Sequence, residues 1–460
     1  MSSVDADVVV VGAGISGIAS AKWLHDHGRK VIVLEQNAWT GGRIRTERRP
    51  GEVAGAYLQH GGIFHTDQYP RLCALIEELG LGARVQKQPS AFNANVLQRG
   101  QWRHVDYGSL LAPIRFSALG WLDSLSLLRA AAPILATGPP HRKDDFGTLT
   151  SMQQFDEHEC TRGLTSTAAD YFAAGPHEFL WGVRSNKISK AMLALQLQIF
   201  KGDLKELQGG TQALVELMAK RLDVRHETQV HSLSLDEERG TVAVTAGSDE
   251  QVLHARAVVL ACQAPVAARL WPQAPSIIKQ HLEGITYSRI DYIYVRTSTK
   301  FYISEGQEIG MEVVPAAEVE QGPFRTIGGM YCCDSWIDAG QEGSLLLVTT
   351  SNAADAATID DDALAMRLQE ELEHLHPQLK GNIVSRSSII RHDDYTPTFS
   401  QGTVGRLSRA QLELESLTRD RGQQCQGAIV DLAGDHMAAP WMEGALYAGH
   451  KAAQRVHSAL

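Results

Sequence analysis

Residues 6–35 read ADVVVVGAGISGIASAKWLHDHGRKVIVLE, and this stretch decides the fold. Asp7–Val11 is a short β-branched run, the pattern of a parallel strand buried on both faces. It runs into a turn built on Gly12, Gly14, Ile15, Ser16 and Gly17, and Ile18–His27 then carries apolar residues at helical spacing until Gly28 ends it. Lys30–Leu34 is a second β-branched strand, finishing on Glu35. Gly12 permits the tight exit from the strand. Gly14 lets the backbone approach a pyrophosphate, and Gly17 lets the helix pack closely on the sheet. The helix N-terminus then presents unpaired N–H groups and the positive end of its dipole to an anion. Glu35 lies 35 − 17 = 18 residues beyond the last glycine. There a carboxylate can accept from both ribose hydroxyls of an adenosine, and it repels a 2′-phosphate.

The next segment chooses among dinucleotides. Gly41, Gly42 and Arg43, followed by Ile44, Arg45 and Thr46, supply paired glycines and a planar cation beside a pyrophosphate. With the glycine turn and the acid, this GGRxxT run resembles the flavin-containing amine oxidase superfamily, which includes monoamine oxidases, protoporphyrinogen oxidases and phytoene desaturases. The resemblance implies FAD, and it implies a two-dinucleotide-binding (Rossmann-type) α/β FAD domain interleaved with an α+β substrate domain. It also implies the boundaries: 1–85, 205–285 and 395–460 for the FAD domain, 86–204 and 286–394 for the substrate domain.

The resemblance resumes at Gly209 and Gly210, followed by an amphipathic helix over Gln212–Leu222. Val224–Val230 reads as a strand, and the resemblance places the Val230 backbone at the adenine. Thr241–Ala246 and Ala257–Ala261 read as further strands. Near the C-terminus an apolar strand, Ile429–Leu432, meets Gly434 and Asp435, and Trp441, Met442 and Glu443 head a final helix. The resemblance brings Gly434, Asp435 and Met442 to the flavin and its ribityl chain. Asp435 also fits a plain helix cap.

For the chemistry, the resemblance implies an aromatic pair facing the flavin, and Tyr395 and Trp441 fall at its positions. His60, Phe64 and His65 follow a family segment near the flavin, and His65 is the candidate base, with a satisfied structural histidine as the bland reading. Two departures stand out. The strand read at Ser288–Val295 has no lysine where amine oxidases carry one, which argues against fast reaction with oxygen. Asp393 and Asp394, not a cysteine, precede Tyr395, so FAD should be non-covalent. Arg289 and Asp291 are expected to be surface residues, with a substrate contact by either as the second reading. The expected function is oxidation of an amine or amino-acid C–N bond to an imine with O2 as acceptor. The alternatives are a dehydrogenase or desaturase of a larger hydrophobic molecule, using O2 or another acceptor, and a redox-neutral isomerase.

Net charge is −10 with no long basic run, which argues against nucleic acid. Six cysteines without metal-ligand spacing indicate buried free thiols and no metal site. Neither a signal peptide nor a run long enough to span a bilayer is visible, so a cytoplasmic protein acting on a small molecule is expected; a homodimer is left open. Leu110–Leu135 reads as helices covering something apolar, with a membrane-facing patch as the second reading. Helices are also expected near 147–173, strands near 288–296, 309–314, 324–331 and 344–350, and a helix start at Asp360–Asp362.

Overall fold

A computed structural model describes the chain apart from residues 1–3, 89–91, 110, 137–144, 174, 200–202, 237, 304–308, 323, 325, 352–355 and 425–426. Leu110 and Cys425, both singled out in the sequence, lie outside the described residues.

The opening run forms as read. Strand β1 (Ala6–Val11), helix α1 (Ile15–Asp26) and strand β2 (Val31–Leu34) make one βαβ unit. Val8, Val9 and Val10 are fully buried, because β1 is flanked on both sides in a parallel sheet: Val8 sits opposite Val31 of β2 and opposite Ala257. Gly12 has φ +104, and a Cβ there would meet the Ala261 carbonyl oxygen at 2.9 Å. At Gly17 a Cβ would lie 2.0 Å from the Gly12 carbonyl oxygen, so α1 reaches the sheet only with glycine at this point.

The sheet runs Asp223–Arg225, β2, β1, Gln251–Leu260, Thr241–Ala246, Val230–Asp236. On its edge away from β1, the long Gln251–Leu260 strand serves two partners. Its first half pairs antiparallel with Thr241–Ala246, and its second half pairs parallel with Ile429–Leu432, in register Ala257 to Ile429. This sets the C-terminal strand one strand away from β1, across Gln251–Leu260, and seats the final helix, Met442–Ala459, on α1.

The strand expected over Val224–Val230 is two strands. Asp223–Arg225 extends the parallel sheet and Val230 opens the antiparallel meander. Between them Glu227 takes a left-handed φ of 51, and Thr228 N–H donates to the Glu35 carbonyl. The helices expected near 147–173 are short turns, Asp145–Thr148, Thr150–Phe155 and Ala168–Ala173, the last of π form. Left-handed backbone at Leu149 and Gly163 breaks any longer helix.

A second sheet of eight strands joins Asn93–Gln98 and Gln101–Asp106 to strands from Ile290 to His392. The four strands expected in 288–350 are present as Ile290–Thr297, Met311–Val313, Ile327–Cys332 and Leu345–Thr350. Met311 pairs in parallel with Ala94, so distant parts of the chain share one ladder. Asp360 caps Asp361–Leu375, accepting from Asp362 and Ala363 N–H. The stretch after residue 110 forms Ala112–Arg115 and Trp121–Ala136, but only half of its apolar surface faces the core. No described helix is long and apolar enough to cross a membrane.

Candidate active site

One cavity of about 770 Å³ is lined from both halves of the chain. Gly12, Gly14, Ile15, Ser16, Glu35, Gly41, Gly42, Arg43, Val230, Gly434, Asp435 and Met442 all line it. Gly17 does not; its place is in packing α1 on the sheet.

Glu35 marks one end. It is 4% exposed, and its carboxylate accepts from Ala13 N–H at 2.7 Å and from the Asn37 backbone and side-chain N–H groups at 2.9 and 2.7 Å. Thr228, Gln229 and Val230 stand beside it on the lining. Next comes the glycine crossing, where Gly14 and Gly41 form an isolated parallel bridge and Gly41 N–H donates to the Ala13 carbonyl.

Arg43 lines the cavity and also has partners within the chain. Its guanidinium donates to Asp435 Oδ1 at 2.8 Å and to the Tyr395 carbonyl at 2.9 Å, tying three separate segments together. Burial works against the cation, yet the Asp435 carboxylate holds Arg43 protonated above even its ordinary range. Asp435 caps no helix: the turn it opens and the final helix both lack a side-chain cap.

The far end is aromatic. Tyr395 and Trp441 both line it, as expected, and Trp181 joins them with its ring centroid 6.1 Å from that of Trp441. Phe92, Phe179 and Ile290 extend the apolar wall.

His65 is not part of it. On the Phe64–Thr66 strand, side chains alternate, and Phe64 and Thr66 take the cavity face while His65 points away. Burial lowers its pKa to about 4, so it is neutral and off the site. Alternation acts again on Ile290–Thr297. Ile290 and Tyr292 face the cavity, while Asp291 turns to the other side, where it is buried and paired with Arg289 at 3.1 Å and Arg391 at 3.3 Å. The expectation of an exposed Asp291 fails for that reason.

The histidines that line the cavity are His60 and His392, joined in a chain of polar contacts. Tyr292 Oη lies 3.0 Å from His392 Nε2 and 3.2 Å from His60 Nδ1, and His60 Nε2 lies 3.0 Å from Glu47 Oε1. Glu47 in turn contacts Arg45 and Arg49. The 3.0 Å contact with His60 is the largest influence on Glu47, and with the arginines it lowers that carboxyl to about 2. Burial, then His60, lowers His392 to about 4. Sequence reasoning missed Trp181, Tyr292 and His392. For Tyr292 the signal was available, since it alternates with the core-facing Ile293 on a recognised strand.

The family model for flavin-containing amine oxidoreductases matches residues 15–457. The chain belongs to that family. It is 25% identical to the putrescine oxidase of Kocuria rosea over 98% of this chain and 86% of that one. Among solved structures, cyclohexylamine oxidase from Brevibacterium oxydans superposes with a TM-score of 0.72 at 18% identity, covering 98% of each chain. A putative protoporphyrinogen oxidase from Exiguobacterium superposes with a TM-score of 0.71 at 16% identity, covering 97% of each chain.

This flavin-containing amine oxidoreductase is an FAD enzyme, and its cavity fits the cofactor. Two helices, α1 and Met442–Ala459, begin at the lining without a side-chain cap, leaving backbone N–H groups for phosphate and for the flavin. A Cβ built on Gly14 would meet nothing within 4 Å, so the space above the turn is open. No disulfide joins the five cysteines among the described residues, and no group of three metal-ligating side chains is present among them.

Proposed function

We propose that the enzyme oxidises a monoamine carrying an apolar group, with FAD held non-covalently. The observation that carries this reading is the lining of the aromatic end. The carboxylates on the cavity are Glu35 and Asp435, one beside Val230 and the other spent on Arg43. No other described Asp or Glu lines it, so a second ammonium group would find no counter-ion and would be left desolvated. A diamine is therefore disfavoured, in contrast to the substrate for which the Kocuria relative is named. The volume also favours a small substrate. About 770 Å³ must hold both dinucleotide and substrate, whereas pockets of about 300–1,000 Å³ ordinarily take a single drug-sized ligand.

FAD supplies the two-electron acceptor for a C–H bond beside nitrogen. The chain must orient that carbon, exclude water and remove the ammonium proton. Tyr395, Trp441 and Trp181 form the slot that does the first two. Replacing Trp441 with Ala is expected to slow anaerobic amine-driven flavin bleaching about tenfold or more while FAD stays bound. Loss of FAD on gel filtration instead would make Trp441 a packing residue.

For the proton we assign His392, linked through Tyr292 to His60, with Glu47 held ionised and orienting the His60 ring. His392 is neutral above about pH 4 and so can accept. Tyr292, whose burial keeps its hydroxyl protonated, passes a proton by donating on one side and accepting on the other. The Tyr292→Phe variant is expected to lose about tenfold or more in kcat/KM at neutral pH, at or below the usual range for general-base groups. The loss should shrink above the pKa of the amine, where the substrate arrives already neutral. A pH-independent loss would contradict a proton-handling role. No described lysine lines the cavity, which supports slow reoxidation by O2.

A further inference from the structure

Helix Trp121–Ala136 is apolar on two opposite faces. Leu127, Ala130 and Ile134 are buried in the protein. On the other side Trp121, Leu122, Leu125 and Leu128 are 74, 56, 41 and 40% exposed, and just before the helix Leu111 and Ile114 are 45 and 60% exposed. These six fall within residues 111–128, yet they are half of the twelve large apolar side chains exposed among the described residues. None lines the cavity. Scattered apolar residues on a surface need no account, but a contiguous cluster does, and a helix apolar all round is one that something covers.

Charge indicates what covers it. Over residues 111–132 the exposed charged side chains are Arg115 and Arg129. Asp123 is turned inward, its carboxylate accepting from Gly120 N–H at 2.8 Å and Thr165 Oγ1 at 2.6 Å. Two exposed arginines on an apolar stripe complement an anionic lipid surface locally, although the protein as a whole carries a net charge of −10. Pairing the stripe with a second copy about a two-fold axis would bring arginines to the same rim with no exposed carboxylate on the stripe to meet them. We propose that this face docks the enzyme on an anionic bilayer, with the helix lying in the interface and Trp121 at headgroup level.

The test is co-sedimentation of the full-length holoprotein with vesicles of phosphatidylcholine alone and of phosphatidylcholine with phosphatidylglycerol. Binding is expected to the anionic vesicles, weaker to the neutral ones, and reduced by salt. The double variant Trp121→Ser/Leu122→Ser should bind about tenfold more weakly with an unchanged flavin spectrum. Arg115→Gln/Arg129→Gln should remove the preference for anionic lipid. Absence of binding to either vesicle, or binding that the Trp121→Ser/Leu122→Ser variant leaves intact, would overturn the proposal. So would a wild-type dimer in sedimentation velocity that this variant converts to monomer without any vesicle binding, since a second copy would then be the occupant.

Discussion

Glu35→Ala should weaken FAD binding by roughly a hundredfold. Hydrogen bonds to a charged group contribute about 1.5–3 kcal/mol each, and two ribose hydroxyls would lose their acceptor, so about 3 kcal/mol is expected. The structure adds a second loss. The same carboxylate holds Ala13 N–H at 2.7 Å and both Asn37 N–H groups, so the variant also frees the turn beneath the pyrophosphate. Glu35 is almost fully buried, and solvent screening will not soften the effect. Glu35→Gln keeps an acceptor of similar shape and should fall between. Titration of the apoprotein with FAD, followed by flavin fluorescence, reads the affinity directly. An unchanged dissociation constant in Glu35→Ala would place the adenosine elsewhere.

The second large effect is expected at Asp435. Asp435→Ala removes the counter-ion of Arg43, whose guanidinium keeps only the Tyr395 carbonyl among its two contacts. Breaking a buried ion pair by deleting one partner costs about 3–5 kcal/mol. Arg43 is about one-third exposed, toward the cavity it lines, so about 2–3 kcal/mol is the discounted figure. The thermal midpoint should fall by several degrees. Since Arg43 also holds the Tyr395 backbone, amine-driven flavin reduction should slow as well. The Arg43→Met/Asp435→Ala double variant should recover part of the stability, because no cation is then left unpaired. A double variant that is additive in its losses would show that the two side chains act independently.

The contrast between these residues and the rest shows what the sequence could tell. Gly12, Gly14, Gly17 and Glu35 were legible because backbone geometry and ligand chemistry both constrain them at fixed spacing within one βαβ unit. The pairing of Arg43 with Asp435 was not legible: each was read as a separate cofactor contact, and their 392-residue separation closes only when Ile429–Leu432 joins Gln251–Leu260. His65 failed through strand parity. A motif can place a residue near the cavity, but a one-residue difference along a strand decides which face it takes, and His60 and Tyr292 took the cavity side. The apolar Leu110–Leu135 stretch forms the helices expected of it among its described residues, with its two readings left open. Periodicity showed a helix, but it could not show that only one of two apolar faces has a partner in the chain.

The aromatic end should accept an apolar monoamine and not a diamine. Anaerobic stopped-flow reduction of the holoprotein, comparing a phenylalkyl monoamine with putrescine across pH, tests it most directly. The monoamine should bleach the flavin absorbance at a rate that rises with pH toward the amine pKa, while putrescine at the same concentration should be much slower. Equal or faster bleaching by putrescine would contradict the monoamine assignment, and no bleaching by any amine would contradict amine oxidation itself.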